Sequence, residues 1–127
     1  MNEKMKYHIA VQPEAFYLTE HSHPDKEQYV FAYRIRLTNE GSVSAKLLTR
    51  HWVITDENGH QEEVRGPGVV GENPQLAPGQ TFEYMSGARL KTPVGMMQGS
   101  YSMLAEDGTQ FEAEIPAFTL AGPRVLH

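Results

Sequence analysis

"QYVFAYRIRL", residues 28–37, decides the fold. Side chains of an extended chain point alternately to its two faces. Tyr29, Phe31, Tyr33, Ile35 and Leu37 therefore share one face, and Val30, Ala32, Arg34 and Arg36 share the other. One side is aromatic and aliphatic and the other turns charged at its far end, which predicts a half-buried strand. Working outward, "YHIAVQPEAFYL" before it reads as a strand interrupted near Pro13, and "AKLLTRHWVITD" after it as a strand ending at Asp56. Asn58-Gly59 accepts positive φ at little cost, so a hairpin returns through "HQEEV". "TFEYMS", "SYSMLA" and "QFEAEI" continue the alternation, with a second hairpin turn at Asp107-Gly108. Pro116 breaks or bends the last strand, which suits an edge.

No window holds a 3.6-residue period, and no repeat or linker divides the chain. Seven or eight short strands, with turn signals every ~8–12 residues, predict an all-β antiparallel sandwich. The expected kind is immunoglobulin-like or fibronectin type III-like, one domain over residues 1–127. Trp52 is the natural plug between the sheets. Its parity puts Arg50 on the same face, so either Arg50 sits at the rim or the faces are assigned wrongly.

Composition narrows the function. The net charge of −5 disfavours nucleic-acid binding, which rests on an excess of Lys and Arg, and disfavours an anionic membrane surface. The chain has no cysteine, so thiolate metal sites, disulfides and cysteine nucleophiles are excluded. No apolar run approaches the ~20 residues that span a bilayer, nor does the start carry a signal-peptide core. A cytoplasmic protein without membrane insertion is the simplest reading.

"VRGPGVVGENP", residues 64–74, contains Gly66, Gly68 and Gly71 at G-x-G-x-x-G spacing. A dinucleotide fingerprint needs a helix beginning among the glycines, because the free N–H groups of its first turn hold the pyrophosphate. "ENPQLAPGQ" cannot begin one, and the motif fails as a Rossmann or kinase signature. Two readings stay open. Backbone N–H groups of Gly66, Gly68, Val69, Val70 and Gly71 form an anion nest, with Arg65 and Arg50 adding charge. Alternatively the glycines permit a tight crossover between sheets, with Val69 and Val70 packed inward.

His21 and His23 flank Ser22 in "EHSHPD" and share a face if the segment is extended, a spacing that chelates divalent metals. A complete site needs a third ligand, and an exposed polar loop is the competing reading. His51 lies beside Trp52 with no nucleophile placed by a recognisable motif, and His60 follows a turn. Glu57, Glu62 and Glu63 fit a solvated hairpin face. No constellation argues for catalysis, and no catalytic residue is assigned.

"RHWVITDENG", "VRGPGVVGENPQLAPGQTFEYMSG" and "TPVGMMQGSY" together resemble the ApaG domain family. The resemblance covers nearly the whole chain and is densest from Arg50 to Tyr101. It rests on residues such as Trp52, Asp56, Pro74, Pro78, Tyr84 and Tyr101 besides the glycine loop. It implies a fibronectin type III-like sandwich and an association with cobalt and magnesium tolerance or efflux. The domain is also similar to parts of an F-box protein and of a DNA polymerase δ-interacting protein, which implies a protein-interaction module. The family brings neither catalytic residues nor a cofactor. The expected function is a non-catalytic interaction module with a protein partner. The alternative is a binder of pyrophosphate or a nucleotide through residues 65–72.

Overall fold

The computed structural model describes residues 6–122. Eight strands run in chain order: β1 (Ile9–Tyr17), β2 (Tyr29–Asn39), β3 (Ala45–Asp56), β4 (Gln61–Pro67), β5 (Gln75–Leu76), β6 (Thr81–Leu90), β7 (Val94–Ala105) and β8 (Gln110–Ala121). Two 3-10 turns, Thr19–His21 and Pro24–Lys26, link β1 to β2. The strands form two antiparallel sheets, β1-β2-β6 and β4-β3-β7-β8, with β5 pairing β3 beyond β4. This is the antiparallel sandwich that the alternation predicts.

The apolar face read from residues 28–37 lies at the centre. Phe31, Ile35 and Leu37 are fully buried and Tyr33 nearly so. Against them the second sheet sets Leu47, Trp52, Met97, Tyr101, Met103 and Ile115. Trp52 packs its ring against Tyr33, Phe118 and Tyr101, with centroids 5.3, 6.0 and 6.4 Å away. Fully burying one such side chain contributes about 1.5–3 kcal/mol, so both sheets are held by this shared layer.

Only the expectation for Pro13 needs adjustment. β1 is continuous through Pro13, which stands opposite Ile35. β1 is an edge strand, and there a missing N–H removes no ladder bond. Pro116 does bend an edge strand: β8 lies at the end of its sheet, and the β7–β8 register shifts between Met97 and Gly99, where the proline sits. A second bulge in β3 matters more: Leu47 faces Met103 and Thr49 faces Ser102, leaving Leu48 without a partner on β7. The extra residue moves the alternation by one step.

The glycine segment does not cross between sheets. β4 and β5 both pair β3, so residues 68–74 are an excursion from one edge, opposite the Leu48 bulge. The chain changes sheet only afterwards, where Gly79 and Gln80 bond to Asn39 and Ala77. Asn39 is buried and donates to the carbonyls of Val43 and Leu76 while accepting from Gly41 N–H, so its polar side chain is satisfied.

Candidate functional site

The excursion is strapped to β3 at its base and open at its tip. Gly68 N–H donates to Leu48 O (2.9 Å), and Asn73 Nδ2 donates to Leu47 O and Leu48 O (3.1 and 3.2 Å). The bulge that strands these carbonyls is thus the feature to which the loop ties itself. Val69 and Glu72 exchange N–H bonds with each other, 2.8 and 2.9 Å, closing a two-residue turn over Val70-Gly71. Both turn residues have positive φ, 43° and 80°. That is the type I′ pattern, in which Asn and Gly are the usual residues. Val69 is fully buried, whereas Val70 is 53% exposed, so only the first valine packs inward.

The loop's N–H groups are only partly available. Those of Gly68 and Val69 are committed to backbone carbonyls, and those of Val70 and Gly71 find no acceptor among the described residues. Arg65 lies outside the turn with its guanidinium 3.4 Å from Glu63. No helix follows Gly71.

Arg50 resolves its own ambiguity. The β3–β4 register puts it opposite Gly66, on the Trp52 face, and Nη1 donates to Pro67 O (2.8 Å) and Gly68 O (3.0 Å). The guanidinium lies over Gly66, where a Cβ would come within 2.9 Å of it. Glycine here leaves room for the guanidinium, with no positive φ involved. Behind Arg50 the phenols of Tyr84 and Tyr101 share a 2.5 Å hydrogen bond, and Tyr33 stands cross-strand from Ser86. Burial pushes the phenols of Tyr33, Tyr84 and Tyr101 above the ordinary tyrosine range, and the charge of Arg50 offsets part of that rise. Trp52 Nε1 is buried without a partner among the described residues.

The opposite face of β3 carries a second polar group that sequence reasoning missed. His51 Nε2 lies 2.7 Å from Glu63 Oε1, and Glu63 also meets Arg65. The His51 hydrogen bond, then the Arg65 charge, hold the Glu63 carboxyl below its usual range. A shallow depression on this face is lined by Thr49, His51, Arg65, Ser100, Ser102 and Glu112. Among the described residues no hydroxyl is hydrogen-bonded to the His51 ring, so the pair has charge without an activated nucleophile. The signal for this group was parity across the Asn58-Gly59 turn. It sets His51 opposite Arg65 and Val53 opposite Glu63.

His21 and His23 sit in and beside the 3-10 turns rather than on a regular strand, and both are exposed. Ser22 between them is buried, donating to Leu18 O and accepting from Val30 N–H. Among the described residues no group of three or more His, Asp or Glu side chains gathers around them or elsewhere.

The comparisons with known proteins join this geometry. The model of the ApaG domain matches residues 19–105, a span that includes β2, β3, the glycine excursion and β7. The chain belongs to the ApaG domain family. Its length also aligns end to end with relatives called Protein ApaG: 61% identical over 127 residues in Aromatoleum aromaticum and 60% over 127 in Thiobacillus denitrificans, with all of each chain covered. The crystal structure of an ApaA protein from Bordetella pertussis superposes with a TM-score of 0.90 at 50% identity, over 94% of this chain and 97% of that one. The family resemblance and the sandwich therefore agree. Among the described residues no helix is long and apolar enough to cross a membrane.

Proposed function

We propose that the chain is a non-catalytic binding module that presents the Val69–Glu72 turn to a partner protein, with Val70 as the anchoring contact. The conformation of Val70 carries this reading. A β-branched residue at positive φ is a backbone outlier, costing roughly 1–3 kcal/mol, and Val70 holds φ 43° with half its surface in water. Asn or Gly would fit the turn better and expose less apolar surface. Folding does not account for valine at the tip; burial against a partner does. The straps from Arg50 and Asn73 support the same reading, because a pre-ordered loop loses less entropy on binding. On this reading a link to cobalt or magnesium tolerance runs through the partner rather than through an ion held by this chain.

Affinity capture with the wild type, Val70→Asn and a Val94→Thr control tests the proposal. A protein retained by the wild type and the control but lost by Val70→Asn is expected. Equal capture by all three would sink it.

A second reading has one observation in its favour: among the described residues the N–H groups of Val70 and Gly71 find no acceptor at the tip. They suit a small anion such as pyrophosphate. Titration with pyrophosphate should then move the amide resonances of residues 70 and 71; still resonances dismiss it.

A further inference from the structure

The four long edges of the two sheets are not alike. β1, β4 and β8 are edge strands, and each contains a proline, at Pro13, Pro67 and Pro116. Proline lacks the N–H that a new strand would bond, so these edges are blunted against pairing. β1 also packs alongside β8, and each shields the other. The remaining edge is β6, with no proline. It lies on the open side of the sandwich and carries Met85, 53% exposed.

We propose that β6 is a self-association edge, pairing antiparallel with β6 of a second copy of this chain and joining the two three-stranded sheets into one. The sequence of the strand selects both occupant and register. A two-fold antiparallel pair places residues opposite each other symmetrically about one position. Centred on Ser86, that pairing sets Glu83 opposite Arg89 of the second copy, twice over. It also sets Met85 opposite Gly87, where no side chain competes for space, and Phe82 opposite Leu90 on the inner face. Moving the centre to Met85 puts Met85 against itself and removes both charge pairs. Moving it to Gly87 sets Met85 against Arg89 and leaves Glu83 facing Lys91, which lies past the end of the strand. Among the described residues Arg89 makes no ion pair, whereas Arg34 on the neighbouring strand pairs with Glu14 and Arg36 with Glu83. In this register Glu83 therefore bridges Arg36 of its own chain and Arg89 of the second copy. A second β6 thus gives Arg89 the carboxylate it lacks within its own chain. The contact is one strand wide, which suits a weak dimer rather than an obligate one.

Sedimentation equilibrium of the full chain, from micromolar to millimolar protein at low salt, tests this. The wild type is expected to dimerise. Glu83→Arg and Arg89→Glu each set like charges opposite one another and should weaken association by about tenfold or more. The double variant is made in an Arg36→Gln background, so that Arg36 neither competes for Glu83 nor repels its replacement. It restores opposite charges across the seam and should return to within about threefold of Arg36→Gln alone. Gly87→Glu is an independent arm. A Cβ there meets only Phe31 O at 3.4 Å, so the monomer accommodates it, while the side chain collides with Met85 of the second copy. A wild type that stays monomeric at millimolar concentration overturns the proposal. So does a dimer indifferent to all three single changes, or a double variant that fails to recover.

Discussion

The Val70-Gly71 excursion and the two plain hairpin turns use the same residue type for different reasons. At Gly59 and Gly108, φ is 84° and 88°, and a Cβ would meet nothing within 4 Å. An aspartate organises each turn: Asp56 Oδ1 accepts from Asn58 and His60 N–H, and Asp107 Oδ1 from Thr109 N–H. In these turns glycine supplies conformational freedom alone. In the excursion Gly66 supplies space for Arg50, and Gly68 supplies both freedom and space, since a Cβ there would come within 2.3 Å of Glu72 O. The hairpin turns are local solutions, whereas the excursion is bound into the sandwich by groups from β3. It then spends a strained valine at the point farthest from the body.

That contrast can be broken in several ways. The largest effect is expected in alkali. Buried Tyr33, Tyr84 and Tyr101 must stay protonated in the folded state, so their stabilisation is intact below the ordinary phenol range near ~10 and is lost as pH rises above it. Tyrosinate absorbance from these three should appear together with loss of the β-sheet circular dichroism. Ionisation of all six tyrosines before unfolding would contradict the burial of the polar cluster behind the excursion.

Next, Gly68→Ala should destabilise by about 3 kcal/mol in denaturant titrations, since it combines backbone strain with overpacking against a carbonyl. Arg50→Met should cost about 2 kcal/mol by stranding the Pro67 and Gly68 carbonyls, and should open residues 68–72 to proteolysis while the sandwich persists. Gly59→Ala should cost only about 1 kcal/mol, the left-handed penalty without a clash. If Gly59→Ala costs as much as Gly68→Ala, the distinction between freedom and space is wrong. Val70→Asn should stabilise by about 0.5–1 kcal/mol, the one change with opposite sign. The smallest effect belongs to acid. Tyr7 donating to Asp107, then the Thr109 backbone, hold that exposed carboxyl well below its usual range. Its contribution is therefore present above the ordinary Asp range and fades as pH falls beneath it, softening the Asp107-Gly108 turn and sparing the excursion. Amide exchange at Thr109 reads it.

Strand existence was legible because a period of two survives in every long element, and Trp52 and Phe31 were legible as core because one face must be dry. Pro13 misled, because an edge suspends the rule about ladder N–H groups, whereas Pro116 marked a bent edge strand correctly. Arg50 was half legible. Parity placed it inward, but the carbonyls that hold it lie 17 and 18 residues away, beyond any local pattern. The glycine spacing drew attention to a loop whose sequence, with no helix after Gly71, lacks the dinucleotide fingerprint it suggests. Val70 carried no signal, because a valine beside a valine reads as core until its φ is known. The His51–Glu63 contact was hidden by a register that only the hairpin fixes.

The bulge at Leu48 has a consequence for how this chain tolerates change. It joins two reading frames within one strand: before it Ala45 and Leu47 face the core, and after it Arg50 and Trp52 do. Deleting that single residue would merge the two frames: Thr49 would follow Leu47 directly, still opposite Ser102, and Arg50 and Trp52 would keep their inward face. A one-residue gap is harmless in most surface loops. Here it would leave the core face of β3 as it is and remove the Leu48 carbonyl that accepts from Gly68 N–H and Asn73 Nδ2, releasing the excursion from its anchor.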